Sequence, residues 1–533
     1  AALAAALALP APATAQTTEW RVVVGNSASL SFPGLPATQR PYSDALLGDT
    51  RGDQIGVRLT ASSSAPGYWS RRPNGTWVRY TALDTAGATL GPGRSGSEST
   101  HVFTNVPESG GGASADGQRL FIAQAGAPGD STTRTWGLWR WSGTANVEIL
   151  RALSDGSLGP GLGAGWVAKN DRYALAGRAL SGGRMLLSAR AVSPTGAEPP
   201  LIAMHTPGQG NQPCALRNST DPALAPGLAA GDYFNNTFGI ADISVTPDGR
   251  VYALLEASGS RTGIWELCDG APRAIVVNND TGTRGPDLGT GTARFGSSIT
   301  LPRLGEAGTF FFFSNFTTAP SQSSKTGLFW HDGQVNRPLA IGDSPAHGPG
   351  WMDTTWGYFS TATLTSAGAW ATFSASVNSA DGGNPSGLWR VRTGHSPELI
   401  ALLDLTGQYA PEANRTWSSF LARAILANGD VIQLARTNPG SELALWLLPR
   451  GQAPRRLLKV GDTLSVPTTA GTSQRTVTDI SVSPSVAQHN GGQDSWVSAD
   501  GTIMVEATLS GLGTVHLLSR PSDPSVMFAN GFE

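Results

Sequence analysis

Two short patterns alternate along this chain, and their alternation constrains the fold more than any other feature of the sequence. The first is a two-residue turn directly before an apolar run, as in Asp116-Gly117, Asp248-Gly249 and Asn428-Gly429. Asp-Gly and Asn-Gly favour tight hairpin turns, because both residues readily adopt positive φ. The runs that follow are apolar or alternating, as in Phe310–Phe313, and therefore predict β-strands.

The second pattern is a hairpin that begins with Gly, an apolar residue and an aromatic ring. It occurs as Gly137-Leu-Trp139, Gly263-Ile-Trp265, Gly327-Leu-Phe329 and Gly387-Leu-Trp389, each followed by a polar turn and a second apolar strand. Because the two patterns interleave in a constant order, each unit of about sixty residues contains four strands. Four antiparallel strands repeated many times predict a β-propeller, in which the sheets stand as blades around one axis.

The two ends of the repeat region predict how the ring closes. Eight turn patterns occur but only seven complete hairpins: residues 514–520 have the pattern of a third strand without a fourth, and residues 19–34 that of a fourth strand with nothing before it. We therefore predict an all-β propeller of eight four-stranded blades, closed by pairing of the N- and C-terminal strands, which leaves no open sheet edge. A seven-bladed ring with one distorted unit is the alternative.

The composition fits many short strands joined by turns. Gly (67) and Pro (36) are frequent, and charged residues make up 14% of the chain. The formal net charge of −2 lacks the basic excess that nucleic acids attract, so we expect no nucleic-acid partner. No segment has the roughly eighteen consecutive apolar residues of a membrane span, and we expect a monomer without one.

The sequence divides into a leader, one domain and a tail. Residues 1–15 have the Ala/Leu run and the Ala13-Thr14-Ala15 cleavage pattern of a secretory signal. Residues 16–520 form the predicted propeller, and residues 521–533 are a C-terminal tail. We therefore expect a secreted, periplasmic or cell-surface protein. In such an oxidising compartment Cys214 and Cys268 can form a disulfide, although the spacing alone leaves both the bonded and the free state open.

A recurring acid follows the outermost strand of the units. Turn capping accounts for these residues, and a ring of calcium ligands is the alternative. We therefore expect no cofactor and assign no metal site. The acids are Asp84, Asp155, Asp221, Asp280, Asp343, Asp404 and Asp462.

Part of the repeat resembles a known family pattern. Residues 365–373 contain Gly368, Ala371 and Phe373, similar to the N-x-x-G-x-x-A-F motif of secreted bacterial "choice-of-anchor" tandem-repeat proteins, with one residue added before Phe. Asn428-Gly429 matches part of the same motif. The resemblance implies a secreted or cell-surface role, and it implies no established activity.

Candidate binding residues lie in the predicted loops between consecutive blades. Propellers usually bind ligands on the face that carries the fourth-to-first and second-to-third strand loops. Aromatic rings beside Asn, Asp and Arg in these loops can stack on sugars and bind their hydroxyl groups, whereas packing between blades is the alternative role for the rings. The candidates are Trp166, Tyr233, Asn235, Asn236, Trp351, Asp353, Trp356, Arg415 and Trp417.

The sequence carries no strong catalytic signal. It has no His-Glu-x-x-His, no P-loop and no Gly-x-Ser-x-Gly motif, and no acid and nucleophile carboxylates can be placed. We therefore predict a secreted, non-catalytic propeller that binds a glycan, a peptide or a surface partner through its loop face. An extracellular polysaccharide hydrolase or lyase on the same scaffold is the alternative, so the question of enzymatic activity stays open, with no catalytic residue assigned.

Overall fold

The protein is described by a computed structural model that covers most of the predicted propeller. It describes residues 19–27, 29–34, 39–41, 46–47, 55–61, 67–72, 74–106, 110–113, 117–236, 239, 242–246, 249–305, 308–319, 322–342, 347–351, 354–379, 383–482, 496–498 and 500–520. The predicted leader, 1–15, and the predicted tail, 521–533, lie outside these residues.

The described strands form eight antiparallel sheets, here numbered I to VIII along the chain. Sheet I contains β2 (Gln39–Pro41), β3 (Leu46–Leu47), β4 (Ile55–Ala61), β5 (Gly67–Arg71) and β6 (Trp77–Arg79), and sheet II contains β7 (Val102–Asn105), β8 (Gly110–Ala113), β9 (Arg119–Gly126), β10 (Thr135–Trp141) and β11 (Asn146–Arg151). Sheet III contains β12 (Val167–Ala168), β13 (Leu175–Ala179), β14 (Met185–Val192), β15 (Pro200–Thr206) and β16 (Gly210–Leu216), and sheet IV contains β17 (Ile243–Val245), β18 (Val251–Ala257), β19 (Arg261–Leu267) and β20 (Arg273–Val277).

The second half of the chain follows the same plan. Sheet V contains β21 (Arg294–Ile299), β22 (Arg303–Leu304), β23 (Phe310–Thr317), β24 (Lys325–His331) and β25 (Asn336–Ile341), and sheet VI contains β26 (Thr355–Ala367), β27 (Trp370–Asn378), β28 (Ser386–Arg392) and β29 (Glu398–Leu402). Sheet VII contains β30 (Thr416–Ile425), β31 (Val431–Asn438), β32 (Glu442–Leu448) and β33 (Arg455–Lys459), and sheet VIII contains β34 (Thr463–Thr468), β35 (Gly471–Ser481), β36 (Ile503–Leu509), β37 (Gly513–Ser519) and β1 (Arg21–Gly25). The described helices are short 3₁₀ turns at Gly96–Glu98, Ser131–Thr133, Arg172–Ala174, Ser181–Gly183 and Gly282–Arg284.

Each sheet has four strand positions, which follow one another along the chain in sheets I to VII. Sheets I, II, III and V contain a fifth strand because their first position is divided into two pieces, which both pair with the second strand. Sheet VIII also has five strands: β35, β36, β37 and β1 occupy the four positions, and β34 pairs with the other edge of β35. The apolar runs that follow the predicted two-residue turns form second strands, and each predicted Gly-x-aromatic hairpin begins a third strand. In the hairpin pattern, Gly is required because a Cβ at Gly137 would lie 2.6 Å from the Leu150 carbonyl oxygen and 2.9 Å from the Trp139 ring.

The buried side chains form eight clusters in the described residues, and each cluster lies between two consecutive sheets. The last cluster joins sheet VIII to sheet I and contains Val23, Val24 and Leu518 on one side and Trp69 and Trp77 on the other. The sheets therefore pack face to face in a closed series. This arrangement is a β-propeller, which confirms the all-β propeller prediction.

The closure of the ring uses strands from both ends of the repeat region. β1 pairs antiparallel with β37, with Arg21 opposite Leu518. The Ser519 hydroxyl donates a hydrogen bond of 2.7 Å to the carbonyl oxygen of Glu19, and the Trp77 indole donates one of 3.3 Å to the carbonyl oxygen of Val23. β1 therefore completes sheet VIII and also holds sheet I, as the pattern at the two ends predicts.

A buried asparagine at the start of the fourth strand ties neighbouring sheets together. In sheet V, Asn336 Nδ2 donates to the carbonyl oxygens of Thr283 (3.1 Å), Gly285 (3.2 Å) and Ile275 (3.4 Å), which belong to sheet IV and the connection that follows it. Its Oδ1 lies 3.0 Å from His331 Nδ1, which carries the proton because the amide oxygen can only accept. Equivalent asparagines bind carbonyl groups of the preceding sheet in sheets II and III, at Asn146 and Asn211.

Two further contacts join neighbouring sheets. The tryptophan of the third strand donates its indole N–H to a proline carbonyl in the connection before its sheet, as in Trp389 to Pro349 (3.0 Å) and Trp265 to Pro226 (2.9 Å). A disulfide between Cys214 and Cys268, with a Cα–Cα distance of 4.7 Å, links β16 of sheet III to the turn after β19 of sheet IV. Among the described residues, no helix has the length and apolar character that a membrane crossing requires.

Candidate functional site

Two of the predicted binding aromatics belong to a contact that recurs from sheet to sheet. In five sheets, a ring at the start of the first strand position meets a ring of the third strand edge to face, with centroids 4.9 to 5.4 Å apart. Trp356 and Trp417 are members of this set, and they are 6% and 0% exposed. Their rings therefore lie in the buried clusters between sheets V and VI and between sheets VI and VII, and not on an exposed surface; this is packing between blades, the alternative role that the sequence leaves open. The pairs are Phe103–Trp139, Phe234–Trp265, Phe295–Phe329, Trp356–Trp389 and Trp417–Trp446.

The remaining predicted residues are not brought together in one place. Trp166 and Trp351 are half-buried and pack against the clusters between sheets II and III and between sheets V and VI, respectively. Tyr233 is 38% exposed in the connection to sheet IV. Beside it, Asn235 and Asn236 both bind Glu256: Asn235 Nδ2 donates to the Glu256 carboxylate, and Asn236 Oδ1 accepts from the Glu256 amide. Asp353 lies outside the described residues.

Arg415 belongs to a network of charges on sheet VII. Its guanidinium lies 3.7 Å from the carboxylate of Glu412 and 3.4 Å from that of Glu442. Arg456 bridges the same two carboxylates at 3.4 and 3.3 Å, and Lys459 lies 3.6 Å from Glu442. This charge network therefore contains three cations and two carboxylates.

The recurring acids serve the turns in which they lie. Asp84 and Asp404 adopt φ of 54° and 58°, and their backbone N–H groups bind the first strand of the next sheet. The side chains of Asp155 and Asp221 accept hydrogen bonds from nearby backbone N–H groups. Asp343 lies outside the described residues. Where the structure describes the chain, no three His, Cys, Asp or Glu side chains come together in a group that could hold a metal ion.

Two adjoining cavities lie beside sheets VI, VII and VIII. The larger, the inner cavity, has a volume of about 600 Å³ and lies between the first strands of the three sheets; the smaller, the outer cavity, has a volume of about 480 Å³. The two share Arg436, Leu443 and Asp479 in their linings. The inner cavity is lined by Ala362, Thr363, Thr365, Leu421, Ala422, Arg423, Leu434, Arg436, Leu443, Asp479, Ile480, Ser481, Val482 and Trp496, and the outer cavity by Arg436, Pro439, Gly440, Ser441, Glu442, Leu443, Val460, Thr478 and Asp479.

The outer cavity lies on the face that the sequence predicts for ligand binding. Pro439, Gly440 and Ser441 form the turn between the second and third strands of sheet VII, and Val460 lies in the connection from its fourth strand to sheet VIII. None of the eight predicted binding residues that the structure describes lines either cavity. Of these eight residues, Arg415 is linked to the outer cavity through one contact, its ion pair with the lining residue Glu442.

The cavities lie where the first strands depart from the repeat. β26 and β30 run unbroken for 13 and 10 residues and contact each other, and each contains two irregularities in its pairing with the second strand. Bulges of this kind turn side chains away from the regular alternation. Tyr358 on β26 and Leu421 on β30 are 72% and 51% exposed, respectively, and Leu421 lines the inner cavity.

A buried hydroxyl group without a partner lies in the inner cavity. Thr365 is 9% exposed, and its Oγ1 makes no hydrogen bond to any described residue. Burying an unpaired hydroxyl group costs about 1–3 kcal/mol. The oxygen itself is closed off from the cavity, so a ligand can pair with it only after the side chain rotates. Arg423, 6% exposed, also lies in this lining, and therefore the inner cavity combines apolar walls with polar groups.

A sequence signal for this region exists, although the repeat analysis did not use it. The first-strand segments 358–367, 416–427 and 472–482 contain neither Gly nor Pro, and they belong to the three sheets that line the inner cavity. In the other five sheets, Gly or Pro interrupts the corresponding segment. A segment of at least ten residues without Gly or Pro is therefore the sequence feature that separates the first strands of sheets VI to VIII from the rest; Gly357 of β26 and Gly471 of β35 lie before these segments.

The fold and these cavities define a β-propeller with a candidate ligand site between the first strands of three neighbouring sheets. The chain belongs to the Family of unknown function (DUF7453), whose sequence profile matches residues 56–510. A comparison with curated proteins found no match.

Several solved structures are similar to this chain. An ulvan lyase of polysaccharide lyase family PL25, bound to a glucuronate–sulfated rhamnose disaccharide repeat, aligns over 93% of this chain and 95% of its own, with 8% identity and a TM-score of 0.30. The β-propeller domain of the Trilobed protease from Pyrococcus furiosus aligns over 78% and 95%, with 9% identity and a TM-score of 0.31. An α-L-arabinanase from Penicillium chrysogenum aligns over 66% and 93%, with 10% identity and a TM-score of 0.23.

Proposed function

We propose that this protein is a non-catalytic propeller that binds a glycan at the two cavities beside sheets VI to VIII. The observation that carries the proposal is the combination of apolar walls and polar groups in the inner cavity. Ligand sites commonly combine an apolar concave surface with a few polar groups that set orientation.

A sugar ring matches this combination. Its C–H face is apolar and its edge carries hydroxyl groups, so it can contact Leu421 and Ile480 while its hydroxyls pair with Thr363 and Ser481. Tyr358 lies on β26 between the cavity-lining threonines and the loop face, and it is 72% exposed. An exposed ring in this position can stack on a second sugar of the same chain.

We propose further that the protein acts outside the cytoplasm as a monomer. The disulfide between Cys214 and Cys268 supports the location outside the cytoplasm, because such bonds persist in oxidising compartments and are rare in reducing ones. The signal-like pattern in residues 1–15 points the same way.

A second candidate function is glycan cleavage. Asp479 and Glu442 both line the outer cavity, and many glycosidases act through two carboxyl groups about 5–9.5 Å apart. Against this candidate, Glu442 is ion-paired with Arg415, Arg456 and Lys459, so its oxygens are already engaged by protein groups. The binding role is therefore the first proposal.

Binding is tested with the full chain on a glycan array, followed by titration calorimetry on the glycans that bind. Tyr358→Ala should weaken binding about threefold to tenfold, since ring contacts of this kind contribute about 0.5–1.5 kcal/mol. The matched control is Tyr173→Ala: Tyr173 is 81% exposed but lies between β12 and β13 of sheet III, so binding should not change. Equal affinities for wild type and Tyr358→Ala would contradict the proposed site.

Cleavage is tested on the same glycans by measuring newly formed sugar ends. The binding proposal expects none above the buffer blank. Release of new ends that Asp479→Asn abolishes would favour the second candidate over the first.

A further inference from the structure

The charges around the two cavities differ from those of the chain as a whole. Arg423 and Arg436 line the cavities together with Asp479 and Glu442, and Glu442 is the centre of the charge network of Arg415, Arg456, Lys459 and Glu412. This region therefore contains five cations and three carboxylates. Over its full length, by contrast, the chain has 37 Lys and Arg and 39 Asp and Glu residues.

Among these cations, Arg436 is the best placed to contact an anionic group of a ligand. It is exposed, it lines both cavities, and its Nη1 donates a hydrogen bond of 3.3 Å to the carbonyl oxygen of Ser441. That contact uses one of the five N–H donors of a guanidinium group and directs the side chain along the turn between β31 and β32. The remaining donors form the planar fork that pairs with two oxygens of one anionic group.

Asp479 supplies a carboxylate, a hydrogen-bond acceptor, to the same two cavities. It is exposed and lines both cavities, and its Oδ1 accepts a hydrogen bond of 2.9 Å from the backbone N–H of Ile480. Although they share both cavities, Asp479 and Arg436 do not form an ion pair with each other. A ligand between them can therefore present an anionic group to Arg436 and a hydroxyl donor to Asp479.

We infer that the ligand is an acidic glycan, recognised at its carboxylate or sulfate group by Arg436 and at a neighbouring hydroxyl by Asp479. This inference rests on the proposed glycan-binding function and adds the chemical class of the ligand. Neutral glycans lack the anionic group and so make only the apolar and hydroxyl contacts.

The chain offers a matched control for Arg436. Arg190 occupies the same place in sheet III: each is the sixth residue of the second strand, and each is an exposed residue after five buried ones. Arg190 lines neither cavity. The variants Arg436→Gln and Arg190→Gln therefore remove the same charge from equivalent backbone positions, one at the site and one away from it.

The experiment measures the affinity of the full chain for two pairs of glycans that differ only in charge. One pair is polygalacturonate and its fully methyl-esterified form, and the other is a sulfated galactan and its desulfated form. We expect the charged member of at least one pair to bind about tenfold or more tightly, with an affinity that falls as salt rises. The pair that shows the preference identifies the anionic group as carboxylate or sulfate.

The two arginine variants then test whether Arg436 is the residue that recognises the anionic group. Arg436→Gln should lose the preference for the charged member, while Arg190→Gln keeps it. The inference is overturned if the neutral members bind as tightly as the charged ones, a result that leaves the proposed glycan-binding function standing, or if Arg436→Gln retains the preference. If no glycan binds, both the inference and the proposed function fail.

Discussion

Asn336 offers the most direct test of how consecutive blades hold together. Its side chain is fully buried and joins sheet V to sheet IV through bonds from Nδ2 to the Thr283 and Gly285 carbonyl oxygens, while Oδ1 accepts from His331. The two N–H donors of the amide, shared among the carbonyl oxygens, and the accepting Oδ1 amount to about three hydrogen bonds; each contributes about 1 kcal/mol net, and all are lost when the side chain is cut back to alanine. We therefore expect Asn336→Ala to lower the free energy of unfolding by about 3 kcal/mol. That is a large part of the about 5–15 kcal/mol typical of folded proteins.

The assay is urea unfolding followed by tryptophan fluorescence. The control, Gln334→Ala, changes an exposed residue in the same hairpin turn, and it should alter the free energy of unfolding by no more than about 0.5 kcal/mol. If Asn336→Ala costs no more than this control, the account of the blade contact is wrong.

A second variant separates hydrogen bonding from packing. Asn336→Asp keeps the shape of the side chain but replaces the donating NH₂ group by an oxygen that faces carbonyl oxygens. We expect it to destabilise the protein at least as much as Asn336→Ala does. If Asn336→Asp were as stable as the wild type, volume and not hydrogen bonding would account for the burial of this residue.

Three further predictions concern contacts between or within sheets. Replacing Cys214 and Cys268 together by serine should lower the free energy of unfolding by about 4 kcal/mol, because the disulfide closes a loop of 54 residues; urea unfolding of the double variant beside the oxidised wild type checks this. Trp389→Phe should cost about 1 kcal/mol through loss of the bond to Pro349, and more than Trp446→Phe, whose buried indole N–H binds no described group; equal losses would contradict the role of that bond. Burial lowers the pKa of His331 below its usual 6.5, so the unfolded chain takes up a proton before the folded protein does as the pH falls. The contribution of His331 to stability should therefore be complete above about pH 6.5 and should decline as the pH falls towards the lower folded-state pKa. Urea midpoints measured over this pH range should fall less for His331→Gln than for the wild type.

The fold could be predicted because its signals are local and repeated. The turn at Asn428-Gly429 needs positive φ at its glycine, and Gly429 has a φ of 88° two positions before β31 begins at Val431, whereas Asn428 does not adopt positive φ. The Gly-x-Trp pattern follows from steric contact, since the ring of Trp139 covers the face of Gly137. These conformational and steric requirements involve residues only a few positions apart. Each therefore produces a short sequence pattern that recurs in every sheet with the same geometry.

The candidate site could not be predicted in the same way, because its residues come from three sheets. Arg436 and Asp479 lie in different sheets, and no local pattern distinguishes either from an ordinary surface residue. The aromatics that were predicted to bind, Trp356 and Trp417, are part of the repeat itself: in five sheets a ring at the start of the first strand packs on a ring of the third strand, here in the buried clusters between neighbouring sheets. Only the absence of Gly and Pro from three first-strand segments marks the site region in the sequence.

The pairing of β1 with β37 has a consequence for the order in which the protein matures. β1 and its partner are separated by almost five hundred residues, so β1 is synthesised long before β37, and the Glu19–Ser519 bond spans 500 positions. Until then β1 offers free backbone groups to any passing strand, which is a known route to aggregation. A chain that ends before Gly513 therefore lacks the strand that closes the ring. We expect Trp69 and Trp77 to be exposed to solvent in such a chain, and quality-control proteases should degrade it quickly.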